Sequence, residues 1–371
     1  MTFTIVTHVP HVFKDQSYYA YGPYVREMNI WAKYVDKMVI VAPLKKQELT
    51  QIDLPYDHDQ IEVIRIPEIS LTSFMEVVKA LLFTPFILFQ IFRGMLKAHH
   101  IHLRCPGNIG LLGAVVQILF PKKSKTAKYA GNWDPMAVQP RSYRIQKKLL
   151  ANTFWTKNMQ VLVYGDWPQQ TRNIKSFFTA TYPRTKVRGI QSRDSSPPYK
   201  FLFVGSLSPG KRPMYCLKLL KGLREKGIET TLRLFGEGTE RTNLASYIKA
   251  NTMEDRVQLC GNQTAETVEQ AFKESDFLLL PSKSEGWPKV VAEAMFWGCI
   301  PMVTSISCVP WMLGNEERGI LLDHELENDI DKIATAVGDK EKLKEMSVRA
   351  QKWSHQYTLD QFEVEIATLL K

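Results

Sequence analysis

The sequence predicts an α/β protein made of two Rossmann-like halves, each built on a parallel sheet. Three observations carry that expectation. Short, mostly apolar runs recur at helix-length spacing along the 371 residues, the pattern of buried parallel strands joined by crossover helices. A break at residues 188–200, with Ser195-Ser196-Pro197-Pro198 at its centre, has linker chemistry and divides the chain into halves of similar size. The length itself favours two domains over one.

In chain order, the first half offers strands at residues 3–6, 38–42, 61–66, 101–103 and 161–164. The second half offers 201–204, 232–235, 257–259, 277–280, 300–303 and 320–322. From residue 340 onward the pattern is helical and polar. The expected domains are residues 1–187 and 199–354.

Hydrophobic content of 44% is that of an ordinary globular protein. The five cysteines are scattered, with no Cys-x-x-Cys pair, which points to a reducing, cytoplasmic setting rather than a disulfide scaffold. Residues 2–7 are too short, and lack the basic leader, for a secretory signal.

Charge is uneven. Residues 101–200 hold 17 Lys+Arg against 3 Asp+Glu, a net of +14, while residues 201–371 hold 21 against 25, a net of −4. Much of the surplus lies in Lys122, Lys123 and Lys125 and between Arg141 and Lys148. Such a face attracts anionic lipid, nucleic acid or a phosphorylated ligand, or is simply solvated. Residues 71–98 are the most apolar stretch. Its uncharged part, residues 80–92, is 13 long and contains Pro85, short of the roughly 20 residues that cross a bilayer. Two readings stand: a core helix kinked at Pro85, or a surface element that dips into the bilayer interface. With the basic surplus, the second makes a two-signal anchor for an anionic membrane surface.

The most informative stretch is Ser284-Glu285-Gly286-Trp287-Pro288, running on to Glu293-Ala294-Met295. An apolar run precedes it and Gly298 with another apolar run follows, so it reads strand, loop, helix, strand. Pro288 suits the first helical turn and Gly298 the residue past the end. Glu285 then stands at a helix N-terminus, where free N–H groups and the dipole favour an anion. Glu293 lies about two turns on, roughly 10 Å away. Two acceptors flanking an anion site suit a ligand with hydroxyls at both ends and phosphate between, as in a sugar nucleotide.

This stretch resembles the donor site of the family 4 retaining glycosyltransferases (glycosyl transferases group 1). The resemblance covers about residues 200–322 well and the first half loosely. It implies the GT-B fold: two Rossmann-like domains with parallel sheets facing a central cleft, and a helix near residues 355–371 crossing back to the first domain. It implies catalytic roles for Glu285 at the donor sugar and Lys211 at the diphosphate, and a ribose contact for Glu293. Gly205, Ser206, Arg212, Gly236, Gly238, Gly286, Trp287 and Pro288 would line the donor. Ser206 stands where the family has arginine, and Arg212 is a candidate for the missing charge. The family's Gly-Gly-x-Pro-Glu segment is altered here to Ser307-Cys308-Val309-Pro310-Trp311.

On the acceptor side the chain departs further. Gly22-Pro23 stands in for a missing Gly-Gly loop, amid Tyr18, Tyr19, Tyr21 and Tyr24, which either stack on a sugar or pack against the following helix. Arg104 and the Asn132-Trp133-Asp134 loop end strands, where α/β ligands bind. The family's histidine in this half has no counterpart, and Asn132 or Asp134 are candidates for its role. His8 and His11 follow the first strand. His100 and His102 read as structural histidines rather than metal ligands.

The expected activity is therefore a retaining, metal-independent transfer of a sugar from a nucleotide to a saccharide or lipid-linked hydroxyl, in cell-surface polysaccharide synthesis. No cofactor, no metal and no nucleic acid are expected, and the localisation expected is cytoplasmic, peripheral on the inner membrane face. The alternatives are a GT-B-like sugar-nucleotide epimerase and a non-catalytic sugar-nucleotide-binding module. No Gly-x-Gly-x-x-Gly opens a first helix, which disfavours a dinucleotide dehydrogenase.

Overall fold

Contacts in the computed structural model, which describes residues 1–50, 52–70, 73–168, 170–190 and 193–371, divide the chain into two units. Unit 1 is Met1–Phe177 with Glu363–Lys371, and unit 2 is Phe178–Phe362.

Unit 1 contains β1 (Thr2–Val6), β2 (His11–Lys14), β3 (Ser17–Tyr21), α1 (Gly22–Ala32), β4 (Lys37–Lys45), β5 (Asp53–Pro55), β6 (Ile61–Ile66), α2 (Phe74–Lys97), β7 (His100–Cys105), α3 (Asn108–Val116), β8 (Ser124–Tyr129), α4 (Arg141–Ala151), β9 (Met159–Tyr164) and β10 (Ile174–Phe177). A parallel sheet runs β10-β9-β8-β7-β1-β4, with β6 also beside β4. The far end of β4 takes β2, which opens a small antiparallel extension through β3 to β5. Sequence reasoning did not anticipate this extension. Its turn places Asp15 and Gln16 at φ 48° and 62°, the left-handed geometry of a tight hairpin without the Asn-Gly that usually announces one.

The strand β8 hides for a different reason. Ser124-Lys125-Thr126-Ala127-Lys128-Tyr129 looks like charged surface, yet it lies between β7 and β9. Lys125 is 2% exposed and its Nζ donates to the Phe120 carbonyl at 2.9 Å; burial lowers its pKa to about 8. Lys128 is also buried, 3.3 Å from Glu27 and over the rings of Tyr164 and Phe177. Lys123 caps the end of α2, donating to the carbonyls of Met95, Leu96 and Ala98 at 2.6–2.8 Å. Of the basic cluster expected on the surface here, Lys122 alone is fully exposed.

Helices α2, α3 and α4 cover one face of this sheet. Ile87, Ile91 and Met95 of α2 share a core with Ile109 and Ala114 of α3 and Leu149 and Leu150 of α4, and α3 touches both neighbours. The expected 13-residue uncharged run is the middle of a helix of 24 residues that continues through Pro85. Ser73 caps its start, its side chain accepting from Glu76 N–H at 3.3 Å. Leu71 and Thr72, also in the apolar stretch, lie outside the described residues. Near the helix end, Gly94 lets the backbone close on the sheet: a Cβ there would lie 2.6 Å from Val41 Cγ2, and Thr4 Oγ1 donates to the Gly94 carbonyl at 3.1 Å.

Unit 2 contains β11 (Tyr199–Val204), α5 (Pro213–Glu225), β12 (Thr230–Phe235), α6 (Arg241–Ala250), β13 (Val257–Gly261), α7 (Ala265–Glu274), β14 (Phe277–Leu280), α8 (Lys289–Phe296), β15 (Ile300–Thr304), α9 (Val309–Leu313), β16 (Ile320–Leu322), α10 (Leu326–Gly338), α11 (Lys340–Ser354) and the start of α12 (Leu359–Leu370). Its sheet is fully parallel in the order β13-β12-β11-β14-β15-β16. The strands are near-continuous apolar runs because helices cover both faces. The chain winds outward from β11 in one direction and from β14 in the other. The boundary between these two strands is the topological switch point.

The described part of the 188–200 segment is tied into unit 2. Arg193 donates to the carbonyls of Phe272 at 3.1 Å and Trp297 at 2.8 Å. Gln191 and Ser192 lie outside the described residues. Residues 363–371 of α12 belong to unit 1. There Glu363 accepts from Lys33 at 2.9 Å and Tyr34 at 3.0 Å, and Glu365 pairs with Lys175 at 2.7 Å.

Candidate active site

In an open α/β sheet, ligands bind beyond the carboxyl ends of the strands at the switch point. In unit 2 that place is occupied by the loop after β11, residues 205–212, and the loop after β14, residues 281–288. The two are bound together, with Lys283 N–H donating to the Gly210 carbonyl at 2.8 Å. At their junction Lys211 Nζ meets Glu285 Oε1 at 2.5 Å. The Glu285 side chain is 9% exposed and Lys211 30%. This is a charge pair open to solvent on the lysine side.

Each partner is held by its loop. The β11 loop interlocks with the Gly236-Glu237-Gly238 loop after β12: Gly205 N–H donates to the Phe235 carbonyl at 3.0 Å, Leu207 N–H to the Glu237 carbonyl at 2.9 Å, and Glu240 N–H to the Leu207 carbonyl at 2.9 Å. A Cβ at Gly236 would fall 1.9 Å from the Gly205 carbonyl oxygen, and one at Gly238 2.3 Å from that of Leu207. These glycines are required by the approach of two backbones. Ser206 Oγ lies 3.2 Å from Ser208 Oγ, and the Ser208 carbonyl accepts from Lys211 N–H at 3.0 Å.

On the other side, the Gly286 carbonyl accepts from Ser307 Oγ at 3.2 Å and Cys308 Sγ at 3.1 Å. The altered segment before α9 thus buttresses the Glu285 loop. Burial pushes the Cys308 thiol up to about 12, so it acts as a donor and not as a thiolate. Trp287 is buried in an aromatic cluster with Trp311, Trp353 and Tyr357, at centroid distances of 6.2, 6.2 and 6.0 Å. Pro288 is the N-cap of α8 and the helix starts at Lys289, one residue later than a proline in the first turn would give. Gly298 has φ 75° just past the helix end, as its position predicts.

Glu293 sits on α8, where Thr181 Oγ1 donates to its Oε1 at 2.6 Å. Burial holds its carboxyl above the usual carboxylate range. Arg212, at φ 52° before α5, donates to His324 Nδ1. Because a guanidinium only donates, His324 Nδ1 accepts and its Nε2–H donates to Thr304 Oγ1, 2.7 Å away. Burial, and then the charge of Arg212, lower the His324 pKa and keep it neutral. Asp329 completes the group, accepting from Tyr215 OH at 2.6 Å and from the N–H groups of Asp323 and His324. Sequence reasoning missed His324, Thr304 and Thr181. The legible signal for His324 was its position just past the carboxyl end of a strand.

Unit 1 has its own switch point between β1 and β7. His8 reaches it: a Cβ on Gly107 would lie 3.1 Å from His8 Nδ1. Burial, and then Arg104, lower the pKa of His8. Arg104 itself donates to Glu27 at 2.9 Å and lies over the Tyr24 ring. Asn132 and Asp134 spend side-chain acceptors on their own turn, for Asp134 N–H and Met136 N–H at 2.8 Å each. Gly22 packs against β5, where a Cβ would meet the Ile52 carbonyl oxygen at 2.5 Å. Tyr24 is core, while Tyr21 is exposed. His11 is buried against Tyr56 OH at 2.7 Å, and His100 and His102 both bond Thr126 Oγ1. Among the described residues, no three His, Cys, Asp or Glu side chains gather where they could hold a metal ion.

The model of the family glycosyl transferases group 1 matches residues 188–353. An uncharacterized glycosyltransferase of Haemophilus influenzae is 27% identical over 197 residues, covering 52% of this chain and 53% of that protein. The UDP-Gal:alpha-D-GlcNAc-diphosphoundecaprenol alpha-1,3-galactosyltransferase of Escherichia coli is 29% identical over 157 residues, 42% of this chain and 38% of that one. The chain spans about half the length of the curated relatives it matches. Among solved structures, Alr3699/HepE of Anabaena, in complex with UDP, has a TM-score of 0.67 at 16% identity over 100% of this chain and 98% of that one. That likeness is one of fold, and the fold is GT-B.

Proposed function

We propose, from the match of residues 188–353 to the model of the glycosyl transferases group 1, that the protein transfers a sugar, with retention, from a nucleoside diphosphate donor to a hydroxyl of a saccharide or lipid-linked acceptor. The observation that carries this reading is the Lys211–Glu285 pair at the switch point of unit 2. A cation and a carboxylate in contact there match the two ends of a sugar diphosphate. Lys211 meets the phosphate oxygens, whose charge grows as the sugar leaves, and Glu285 accepts from sugar hydroxyls. The donor base best supported is uracil, because the Anabaena neighbour is in complex with UDP and the Escherichia coli relative is named for UDP-Gal. The latter name also supports an acceptor carried on a diphospholipid.

In the step proposed, the bond from the anomeric carbon to the diphosphate oxygen breaks, and the acceptor oxygen bonds that carbon from the same face. The acceptor proton passes to the departing phosphate. No enzymic nucleophile is then required, and Lys211 supplies the charge stabilisation. The test is incubation with UDP-sugars and a diphospholipid-linked acceptor, reading the anomeric configuration of the product by NMR. An α-linked product from an α-donor is expected. An inverted product refutes retention, and free epimer without transfer favours an epimerase. Activity is expected to survive EDTA; loss on chelation, restored by Mn²⁺, refutes the metal-free reading.

Glu293→Ala is expected to raise the donor KM with little change in kcat, because a ribose contact contributes uniform binding. Only the carboxylate accepts two hydroxyl bonds. With its pKa held up by burial, the wild-type donor KM should rise as pH falls through that raised value, above the pH at which an ordinary glutamate protonates. The rise should vanish in the variant. An unchanged donor KM in Glu293→Ala refutes the ribose role.

A further inference from the structure

We propose that the N-terminal half of α2, with the basic outer stripe of α4, seats unit 1 on the interface of an anionic lipid bilayer. The argument starts from lengths. At 1.5 Å per residue, the 24 residues of α2 extend about 36 Å. The six residues of β7 extend about 20 Å. The helix leaves β6 at the carboxyl end of the sheet and returns antiparallel to β7, and of its five buried residues Ile87, Ile91, Gly94 and Met95 lie in its second half and only Ala80 in its first. Its first half therefore stands beyond the carboxyl ends of the strands.

That half is apolar on the outside. Phe74 is 80% exposed and Leu82 74%, Met75, Leu81 and Phe83 are also exposed, and so is Phe86 just past the midpoint. Water-facing positions that carry this composition over three turns are not those of a solvated helix. By length and composition α2 could cross a bilayer, but its second half is committed to the core of unit 1. A shallow seat in the interface is what remains.

The charge complement lies on the same layer. α2, α3 and α4 pack side by side over one sheet face, so their outer sides share a surface. The exposed residues of α4 are Arg141, Arg144, Ile145 and Lys148, spaced i, i+3, i+4 and i+7 and hence on one stripe. Val115 and Leu119, between the two helices in sequence, are exposed as well. α3 and α4 carry no acidic residue, and the one acid of α2, Glu76, is paired with Lys79. An apolar spur beside a basic stripe matches an anionic leaflet by two signals at once. It does not need Lys123 or Lys125, which the fold has turned inward. Where the seat brings a lipid-borne acceptor to unit 1, it rests on the transfer reading above. Flotation uses no sugar nucleotide, so the two fail separately.

The experiment is flotation of the full chain with vesicles of equal phosphatidylglycerol and phosphatidylcholine, and with phosphatidylcholine alone. Co-flotation with the anionic vesicles at low salt is expected. It should fall about tenfold or more as salt shortens the Debye length from about 30 Å to about 3 Å, and little should float with the neutral ones. Two variants at exposed positions separate the signals: Leu81→Ser/Leu82→Ser/Phe86→Ser, and Arg141→Glu/Arg144→Glu/Lys148→Glu. Each should lose most binding with its circular dichroism and melting unchanged. A protein that stays in the soluble fraction at low salt overturns the proposal. So does binding that both variants retain, or binding that resists alkaline carbonate, which would mean a spanning helix. A dimer broken by the apolar triple variant, without vesicle binding, assigns the face to a second copy and also overturns it.

Discussion

Glu285→Gln is expected to lower kcat by about 10²–10³-fold, on the scale of losing one preorganised group aimed at the transition state. The substitution keeps size and hydrogen-bonding shape, so the anchors of the loop, through Ser307, Cys308 and the Trp287 cluster, stay in place and the melting temperature should hardly move. It removes the charge that now engages Lys211 at 2.5 Å. That lysine is then freer for phosphate, so the variant should bind the nucleoside diphosphate a few-fold more tightly while turning over far more slowly. Tighter product binding with poor turnover separates a catalytic role from mere misfolding. Turnover near that of the parent protein removes Glu285 from the reaction.

Lys211→Ala should cost about 2–4 kcal/mol in kcat/KM, because Lys211 is the cation in contact with Glu285 at this junction. Arg212→Ala should cost less. Its guanidinium already serves neutral His324, and its loss would first disturb the ends of β15 and β16. Since Lys211 and Glu285 touch, the double variant Lys211→Ala/Glu285→Gln should fall well short of the sum of the two losses. Steady-state kinetics of the four proteins test this. If Arg212→Ala is the more damaging, the phosphate role passes to Arg212.

The sheet of unit 2 was legible because parallel strands buried on both faces are written as plain apolar runs. β14 and β16 fall where the sequence put them, at Phe277–Leu280 and Ile320–Leu322. Unit 1 was less so. Two lysines that find carbonyl, carboxylate and ring partners inside the protein disguise β8, and a hairpin turned on Asp15 and Gln16 lacks the usual glycine. The loop chemistry after β11 and β14 was visible as motifs, but the contact of Lys211 with Glu285 was not. It arises from strand order, which makes β11 and β14 neighbours across more than seventy residues. For α2, composition signalled an apolar run, and only its length relative to the strands says which half is covered.

Unit 1 is written in two instalments. The first runs to Phe177, and the second, Glu363–Lys371, comes after the whole of unit 2. During synthesis at about 5–20 residues per second, the stretch Phe178–Phe362 takes on the order of ten to forty seconds to emerge. For that interval Lys33, Tyr34 and Lys175 lack the partners that Glu363 and Glu365 will bring. A nascent chain therefore shows the ribosome's surroundings an unfinished first unit, and the element that completes it arrives as the continuation of a helix already begun in the second. Maturation of unit 1 is in this way tied to prior production of unit 2, an order of assembly set by topology alone.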